Sequence, residues 1–360
     1  MTPRAVILKI HLVIGVTAAV FLILLGGTGS LIAWQNDIDH WLNPEFFRVR
    51  PGARTLAEAD LIRAVEQRFA PARVVHVHIF REANLARVMD MTNRSTVAVN
   101  PYDGAILGVR VGPSTTQKWI GYIHQFHTHF VPDPRSARRA AAIGGDVAEF
   151  AGAVLIVLLP TGTILWWRAK RFRVKWGAPW YRISFDMHQS LGILLALPLF
   201  VLALTGVLVA EDGIFYSALH SAGPSRFPQM KSAPSGEPAI GIDRAMEIAR
   251  AAIPNSTVTE LMLPLNQQGT YQIVLRVPEE TSETAHSFVF VDQFSRRVLY
   301  ASNFLIASPG YRAVRFNRSI HTGDVWGTTG HALASLVSLA LTILAITGLV
   351  IWLKKLAGQA

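Results

Sequence analysis

Long apolar runs separated by polar stretches predict the membrane-spanning helices of this chain. A helix needs about 20 mostly apolar residues to cross about 30 Å of hydrocarbon. Four windows meet this requirement, at residues 10–34, 147–167, 191–210 and 333–353. The first apolar run is longer than the roughly 7 to 15 residues of a signal-peptide core and lacks a small-residue cleavage site, so it predicts an uncleaved anchor.

The two long connections between these windows carry the patterns of small folded modules. Apolar residues at helical spacing predict one helix in each, over residues 57–70 and 242–253. Alternating apolar residues predict strands at 74–80, 86–91, 97–99, 258–263, 271–277 and 287–291, with one more short strand after a Pro-Tyr-Asp-Gly turn. Each connection therefore predicts an α+β module in which one helix covers an antiparallel sheet.

The chain also contains an internal repeat. In the first predicted helix a histidine is followed by a glycine after four residues and by a Thr-Gly pair after 17, and the third predicted helix repeats both offsets. These residues are His11, Gly15, Thr28 and Gly29, and His188, Gly192, Thr205 and Gly206. The second and fourth windows match through Thr161-Gly162 before Trp166 and Thr347-Gly348 before Trp352. The sequence thus predicts a tandem duplication of helix, outer module and helix.

Composition and charge support a membrane protein. Hydrophobic residues make up 51% of the chain and charged residues only 16%, against about 25% charged residues in an average soluble domain. The formal net charge is +10, but the basic residues flank the windows at residues 4–9, 168–182 and 354–355. This pattern predicts that both termini and the short loop lie in the cytoplasm and that the two modules lie on the opposite side of the membrane. It disfavours nucleic acid as a partner.

The histidines in the spanning windows point to metal chemistry. The chain has no cysteine, which excludes disulfides and iron–sulfur clusters and leaves histidine or carboxylate as metal ligands. His11 and His188 occupy equivalent positions of the repeat, close to the predicted cytoplasmic boundary. A pseudo-two-fold axis would turn their imidazoles toward each other, as two axial ligands of a haem iron require. The alternative is a pair of interfacial histidines that form only hydrogen bonds.

Several short motifs occur in a specific order: "VAVNPYDGAILG", "TGTILWW", "DMHQSLG" and "IHTGDVWG". This order resembles the PepSY-associated transmembrane family and, within it, the siderophore reductases of Gram-negative inner membranes. The resemblance covers nearly the whole chain. It implies a four-transmembrane-helix bundle, made of two duplicated helix pairs, with two extracytoplasmic PepSY-like modules and two haem b groups.

The resemblance and the repeat together suggest a second haem site on the periplasmic side. His127 and His321 occupy the same place in the two halves, and the family's histidine motifs map onto them. His331 is an alternative to His321, since it precedes Thr347 at a comparable spacing of 16 residues. His124 is an alternative to His127, because an apparent insertion at residues 132–139 makes the depth of His127 uncertain.

The predicted organisation divides the chain into seven parts. Transmembrane helices are expected at residues 5–34, 143–167, 184–210 and 328–353, PepSY-like modules at 35–142 and 211–327, and a basic cytoplasmic loop at 168–183. His76 and His78 share one face of a predicted strand, but no third ligand is near them in the sequence. A solvated strand face is therefore expected there.

The function that follows is electron transfer across the bacterial inner membrane. By resemblance, the protein is an oxidoreductase that takes electrons from a quinol or a cytoplasmic reductant, reduces a ferric siderophore in the periplasm and releases Fe(II). Its expected partners are membrane lipid and the ferric siderophore. The alternatives are a cofactor-free PepSY membrane regulator or protease inhibitor, and a cytochrome b subunit of a larger redox complex.

Overall fold

The computed structural model describes residues 2–131, 133, 135, 137–168, 170, 172–221, 230–234, 236–281 and 287–358. Three residues of the predicted insertion (132, 134 and 136) and two of the predicted basic loop (169 and 171) lie outside this description. The chain divides into two compact units. The helical unit comprises Met1–Gln35, Lys118–Ala218 and Ala313–Ala360, and the sheet unit comprises Asn36–Gln117 and Leu219–Arg312.

The described residues form twelve α-helices and eight strands. The helices are α1 Pro3–Ile32, α2 Gln35–Leu42, α3 Pro44–Phe47, α4 Glu58–Arg68, α5 Thr115–His129, α6 Arg138–Trp167, α7 Trp180–Leu194, α8 Ala196–Ala210, α9 Gly213–Ala218, α10 Ile242–Ala252, α11 Pro309–Thr322 and α12 Gly327–Ala357. The strands are β1 Val74–Ile79, β2 Arg87–Met91, β3 Ser95–Val99, β4 Ile106–Val111, β5 Thr257–Met262, β6 Thr270–Arg276, β7 Ser287–Asp292 and β8 Val298–Ser302.

Three helical stretches are long and apolar enough to cross a membrane: α1, α6 and Asp324–Ala357. The third predicted span is instead a bent pair, because α7 and α8 meet at an angle of 68°. The break at Leu195 follows from Pro198, whose ring clashes with the carbonyl of the residue four positions earlier and which has no N–H to donate. Pro160 lies inside α6 without ending it.

Close packing of α1 against α12 holds the helical unit together. A Cβ atom on Gly26 would lie 2.6 Å from the carbonyl oxygen of Ser338, so only glycine lets the two backbones approach this closely. The unit's core is formed by buried leucines and alanines, among them Leu22, Leu199 and Leu341. The α6 helix contacts both α1 and α8, and α12 also contacts α7.

The sheet unit contains one antiparallel sheet of eight strands in the order β4-β3-β2-β1-β5-β6-β7-β8. The two predicted modules therefore share a sheet, joined where β1 pairs with β5 and Val77 lies opposite Leu261. The β8 strand had not been predicted. Both predicted helices, α4 and α10, pack onto the hydrophobic core through residues such as Val65 and Ala245.

Candidate functional site

His11 on α1 and His188 on α7 form the first histidine pair. Their ring centroids are 6.4 Å apart and the rings are nearly perpendicular, at 81°. A metal–imidazole bond of about 2.0–2.1 Å, together with the radius of each ring, places two trans imidazole centroids about 6 Å apart. The separation therefore fits one metal atom between the two rings.

Hydrogen bonds hold the Nδ1 atom of each ring in this pair. Nδ1 of His11 lies 2.9 Å from Oγ1 of Thr161. Nδ1 of His188 lies 2.9 Å from the carbonyl oxygen of Leu344 and 3.2 Å from Oγ1 of Thr347. A carbonyl oxygen can only accept, so Nδ1 of His188 carries the hydrogen and its Nε2 keeps a lone pair for a metal.

His127 on α5 and His321 on α11 lie close enough for the charge of His321 to lower the pKa of His127, and we call them the second pair. Their rings are held in the same way as those of the first pair. Nδ1 of His127 lies 2.8 Å from Oγ1 of Thr28. Nδ1 of His321 lies 3.1 Å from the carbonyl oxygen of Leu202 and 3.3 Å from Oγ1 of Thr205.

The four threonine hydroxyls share one hydrogen-bonding role. Each donates its hydrogen to a carbonyl in the preceding turn of its own helix. Each hydroxyl oxygen therefore accepts from the imidazole, so all four rings carry the hydrogen on Nδ1 and present Nε2 as the free ligand atom.

A glycine follows each of these threonines and makes room for the ring. A Cβ atom would lie 3.1 Å from Cε1 of His127 if built on Gly29, and 2.8 Å from Cε1 of His321 if built on Gly206. On Gly162 and Gly348 the corresponding distances to the first pair are 3.2 and 3.3 Å. We call each threonine and glycine together a Thr-Gly cradle: the threonine fixes the tautomer and the glycine lets the ring lie against the helix.

The cradles also separate the two pairs along the helices. His11 lies near the start of α1, whereas Thr28, which holds His127, lies 17 residues further along the same helix. At a rise of 1.5 Å per residue this is about 25 Å. The two pairs therefore lie toward opposite ends of α1, at a separation close to the thickness of the hydrocarbon core.

The second pair is electrically neutral at physiological pH. The surrounding protein desolvates both rings, which lowers the pKa of His127 to about 3 and that of His321 to about 4. All four histidines of the two pairs are only partly buried as whole residues. Neutral imidazoles with a fixed tautomer are suited to ligate a metal.

The two alternative histidines have other partners. Nε2 of His331 lies 3.1 Å from Oδ1 of Asp324, and its ring packs against Trp34 with centroids 5.8 Å apart. Nδ1 of His124 lies 2.7 Å from Oε1 of Gln35. A carboxylate thus engages the Nε2 atom of His331 that a cradled histidine keeps free.

From the sequence alone, the four Thr-Gly pairs indicate only the internal repeat. Their role as partners of the histidines had not been predicted, although all four pairs could be seen in the sequence. The amide of Asn317, which donates to the carbonyl oxygen of Thr205 at 3.1 Å, is a further support for the cradle of His321 that had been missed.

A family model described as the PepSY-associated TM region matches residues 8–355. The chain belongs to this family. The match confirms the resemblance to the PepSY-associated transmembrane family and, with the apolar helices, indicates a multi-pass membrane protein. None of the curated proteins compared with this PepSY-associated transmembrane protein matches it.

Proposed function

We propose that this protein is a di-haem b membrane cytochrome, with one haem between His11 and His188 and the other between His127 and His321. The observation that carries the proposal is the fourfold Thr-Gly cradle, which leaves one free Nε2 atom on each of four partly accessible histidines. A structural histidine needs no such repeated arrangement. A haem held by two histidines would have no open position on its iron, which would favour one-electron transfer over oxygen chemistry.

The residues around the rings prepare them for this role. Hydrogen bonds from Nδ1 to threonine and carbonyl oxygens orient each imidazole and raise the basicity of Nε2. One turn beyond the two histidines, the side chain of Leu158 lies near Gly15 and that of Leu344 lies near Gly192, so this region is apolar. Axial ligation, hydrogen bonding and burial are the means by which a protein sets the potential of a bound haem.

The proposed orientation follows the basic residues. Arg4 and Lys9 precede His11, and Lys354 and Lys355 end α12, so both termini and the loop at 168–183 are assigned to the cytoplasm of a bacterium. In this arrangement the bent pair α7 and α8 counts as one span and completes a bundle of four. The first pair then faces a quinol or a cytoplasmic reductant, and the second pair and the sheet unit face the periplasm.

The proposed substrate is a ferric siderophore. One electron reduces Fe(III) to Fe(II), which binds hard oxygen ligands more weakly, so the chelate releases its metal. Family resemblance supports this choice of substrate, and the separation of about 25 Å between the two pairs supports transfer across most of the hydrocarbon. The activity would be that of an oxidoreductase of the ferric-siderophore reductase type.

Haem content is the first test. Detergent-purified protein should give a b-type reduced-minus-oxidised spectrum and about two haems per chain in a pyridine haemochrome assay. His11→Ala, His188→Ala, His127→Ala and His321→Ala should each retain about one haem, while His124→Ala and His331→Ala should retain both. A colourless wild-type protein would overturn the proposal and favour the cofactor-free PepSY regulator or protease inhibitor.

The substrate is tested separately, on protein that contains both haems. Stopped-flow absorbance should show that the reduced protein reoxidises when an Fe(III) hydroxamate chelate is added, and an Fe(II) indicator should report one metal released per electron. Reduced protein that keeps its spectrum in the presence of ferric chelates would instead favour the cytochrome b subunit of a larger redox complex.

A further inference from the structure

His76, His78 and Asp90 form a cluster on neighbouring strands of the sheet unit. His76 and His78 lie on β1, and Asp90 lies directly opposite His76 on β2. The pairing of β1 and β2 is irregular between Val74 and His76. Val74 and Val77 are buried in the hydrophobic core, while both histidines remain partly exposed.

The three side chains bring their ligand atoms close together. Nε2 of His78 lies 3.4 Å from Oδ2 of Asp90, and Nδ1 of His76 lies 3.7 Å from the same oxygen. One ligand atom from each residue can be chosen so that all lie within 4.8 Å of one another. Ligands bound at about 2.0–2.1 Å to a tetrahedral metal lie about 3.3 Å apart, so small rotations would close the site.

Two further residues orient the cluster. Nε2 of His76 donates to Oε2 of Glu260 on β5 at 3.0 Å, and this hydrogen bond lowers the pKa of Glu260. Oγ1 of Thr96 donates to Oδ1 of Asp90 at 2.7 Å. These bonds engage Nε2 of His76 and Oδ1 of Asp90, which leaves Nδ1 of His76 and Oδ2 of Asp90 as candidate ligand atoms. A carboxylate behind a ligating histidine is a recurrent arrangement in metal sites.

We propose that this cluster binds a divalent first-row transition metal ion through Nδ1 of His76, Nε2 of His78 and Oδ2 of Asp90. Two imidazoles and one carboxylate suit zinc, iron(II) or nickel(II) better than magnesium or calcium. The side chains of the three ligands are 20%, 36% and 39% exposed, so an ion can enter from solvent and retain a water as its fourth ligand.

The structure brings Asp90 close to the two histidines as a possible third ligand, which the sequence spacing did not reveal. Asp90 is 12 residues from His78 in the sequence, and only the pairing of β1 with β2 brings them together. Because the site uses none of the four cradled histidines, the haem assignment can fail without affecting it.

Equilibrium dialysis of the tag-free, full-length protein against Zn²⁺, with elemental analysis, tests the proposal. The wild type should bind one Zn²⁺ per chain at this site, and His76→Ala, His78→Ala and Asp90→Asn should each weaken binding at least about tenfold. Glu260→Gln should weaken it about 10- to 100-fold, the range seen when the carboxylate behind a histidine ligand is removed.

His220→Ala is the matched control, since His220 is an exposed histidine of the same unit and should not affect Zn²⁺ binding. Unchanged circular dichroism of each variant would show that the fold survives. The proposal would be overturned if the wild type binds no Zn²⁺, or if folded His76→Ala and Asp90→Asn bind it as tightly as the wild type.

Discussion

Thr28 of α1 and His127 of α5 are joined by a hydrogen bond of 2.8 Å between Oγ1 and Nδ1. The same α1 helix carries His11, whose own ring is held by Thr161 on α6. A single helix therefore supplies a histidine to one pair and a cradle to the other. Small changes in the cradles should affect the two sites separately, and this makes the sites testable one at a time.

Gly206→Ala should remove the haem that we propose for the second pair. Its Cβ atom would lie 2.8 Å from Cε1 of His321, a distance that forces the ring to move. The haemochrome assay should then give about one haem per chain. Gly121→Ala is the control, because a Cβ atom there meets nothing within 4 Å. Two haems with unchanged spectra in Gly206→Ala would argue against His321 as a ligand.

Thr161→Val should change the potential of the haem that we propose for the first pair without removing it. The substitution takes away the hydroxyl acceptor of the His11 Nδ1 hydrogen, so Nε2 becomes a weaker donor to Fe(III). A net hydrogen-bond contribution of about 1 kcal/mol corresponds to a rise of about 40 mV for one electron. Potentiometric titration should show this rise for one haem only.

Thr163→Val is the matched control for this measurement. Its hydroxyl also donates to a carbonyl of α6, that of Leu159, at 2.9 Å. Equal shifts in both variants would mean that the contact between Thr161 and His11 does not set the potential.

Gly26→Ala should destabilise the packing of α1 against α12. The added methyl group would lie 2.6 Å from the backbone oxygen of Ser338, which cannot move without the helix. Overpacking of this kind costs about 1–3 kcal/mol. Gly27→Ala adds the same methyl group at 3.8 Å from Oγ1 of Thr342 and should be nearly neutral. Reversible unfolding in a mixed-detergent titration compares the two variants, and equal stabilities would contradict this account.

Arg87→Ala should destabilise the sheet unit in a pH-dependent way. Nε of Arg87 lies 2.8 Å from Oε1 of Glu58, and both side chains are largely buried. Removing one partner of a buried ion pair costs about 3–5 kcal/mol, because the other charge is left uncompensated. Arg63→Ala breaks an exposed pair with Asp60 and should cost less than about 1 kcal/mol.

The pH dependence of this loss has a definite sign. Burial already raises the pKa of Glu58 in the wild type, and without Arg87 the pKa rises further. A carboxyl group whose pKa is higher in the folded state than in the unfolded state destabilises the folded state. This destabilisation grows as the pH rises above the pKa of the group in the unfolded state. Chemical unfolding should therefore show a smaller difference between Arg87→Ala and the wild type at pH 5 than at pH 8. A pH-independent difference would contradict the electrostatic explanation.

Some of this structure could be predicted from local patterns. The apolar runs indicated the spans, and alternation indicated all strands except β8. The break between α7 and α8 could not be predicted from the sequence. Pro198 interrupts a helix, whereas Pro160 lies inside one that continues past it. Neighbouring helices can satisfy the groups that a proline frees, and the sequence does not reveal which of them do so.

The histidine contacts required the tertiary structure. Each cradle lies about 100 to 160 residues away from its histidine in the chain, so no local pattern joins them. The repeat nevertheless indicated equivalent positions, because equivalent residues of two similar halves meet near a common axis. The sequence did not predict that the two modules share one sheet for a related reason. Each predicted module could have formed its own sheet without the pairing of β1 with β5.

The pairing of β1 with β5 also bears on how such a molecule arose. These strands are equivalent in the two halves, run antiparallel and place Val77 opposite Leu261, which is the geometry of an isologous contact between identical subunits. Each half holds its own two histidines in its own cradles and contributes one to each pair. A single half could complete neither pair alone, which is the arrangement expected if a homodimer became one chain by gene duplication and fusion. Co-expressed halves divided within residues 168–183 should then reassemble, and failure of two folded halves to co-purify would contradict this origin.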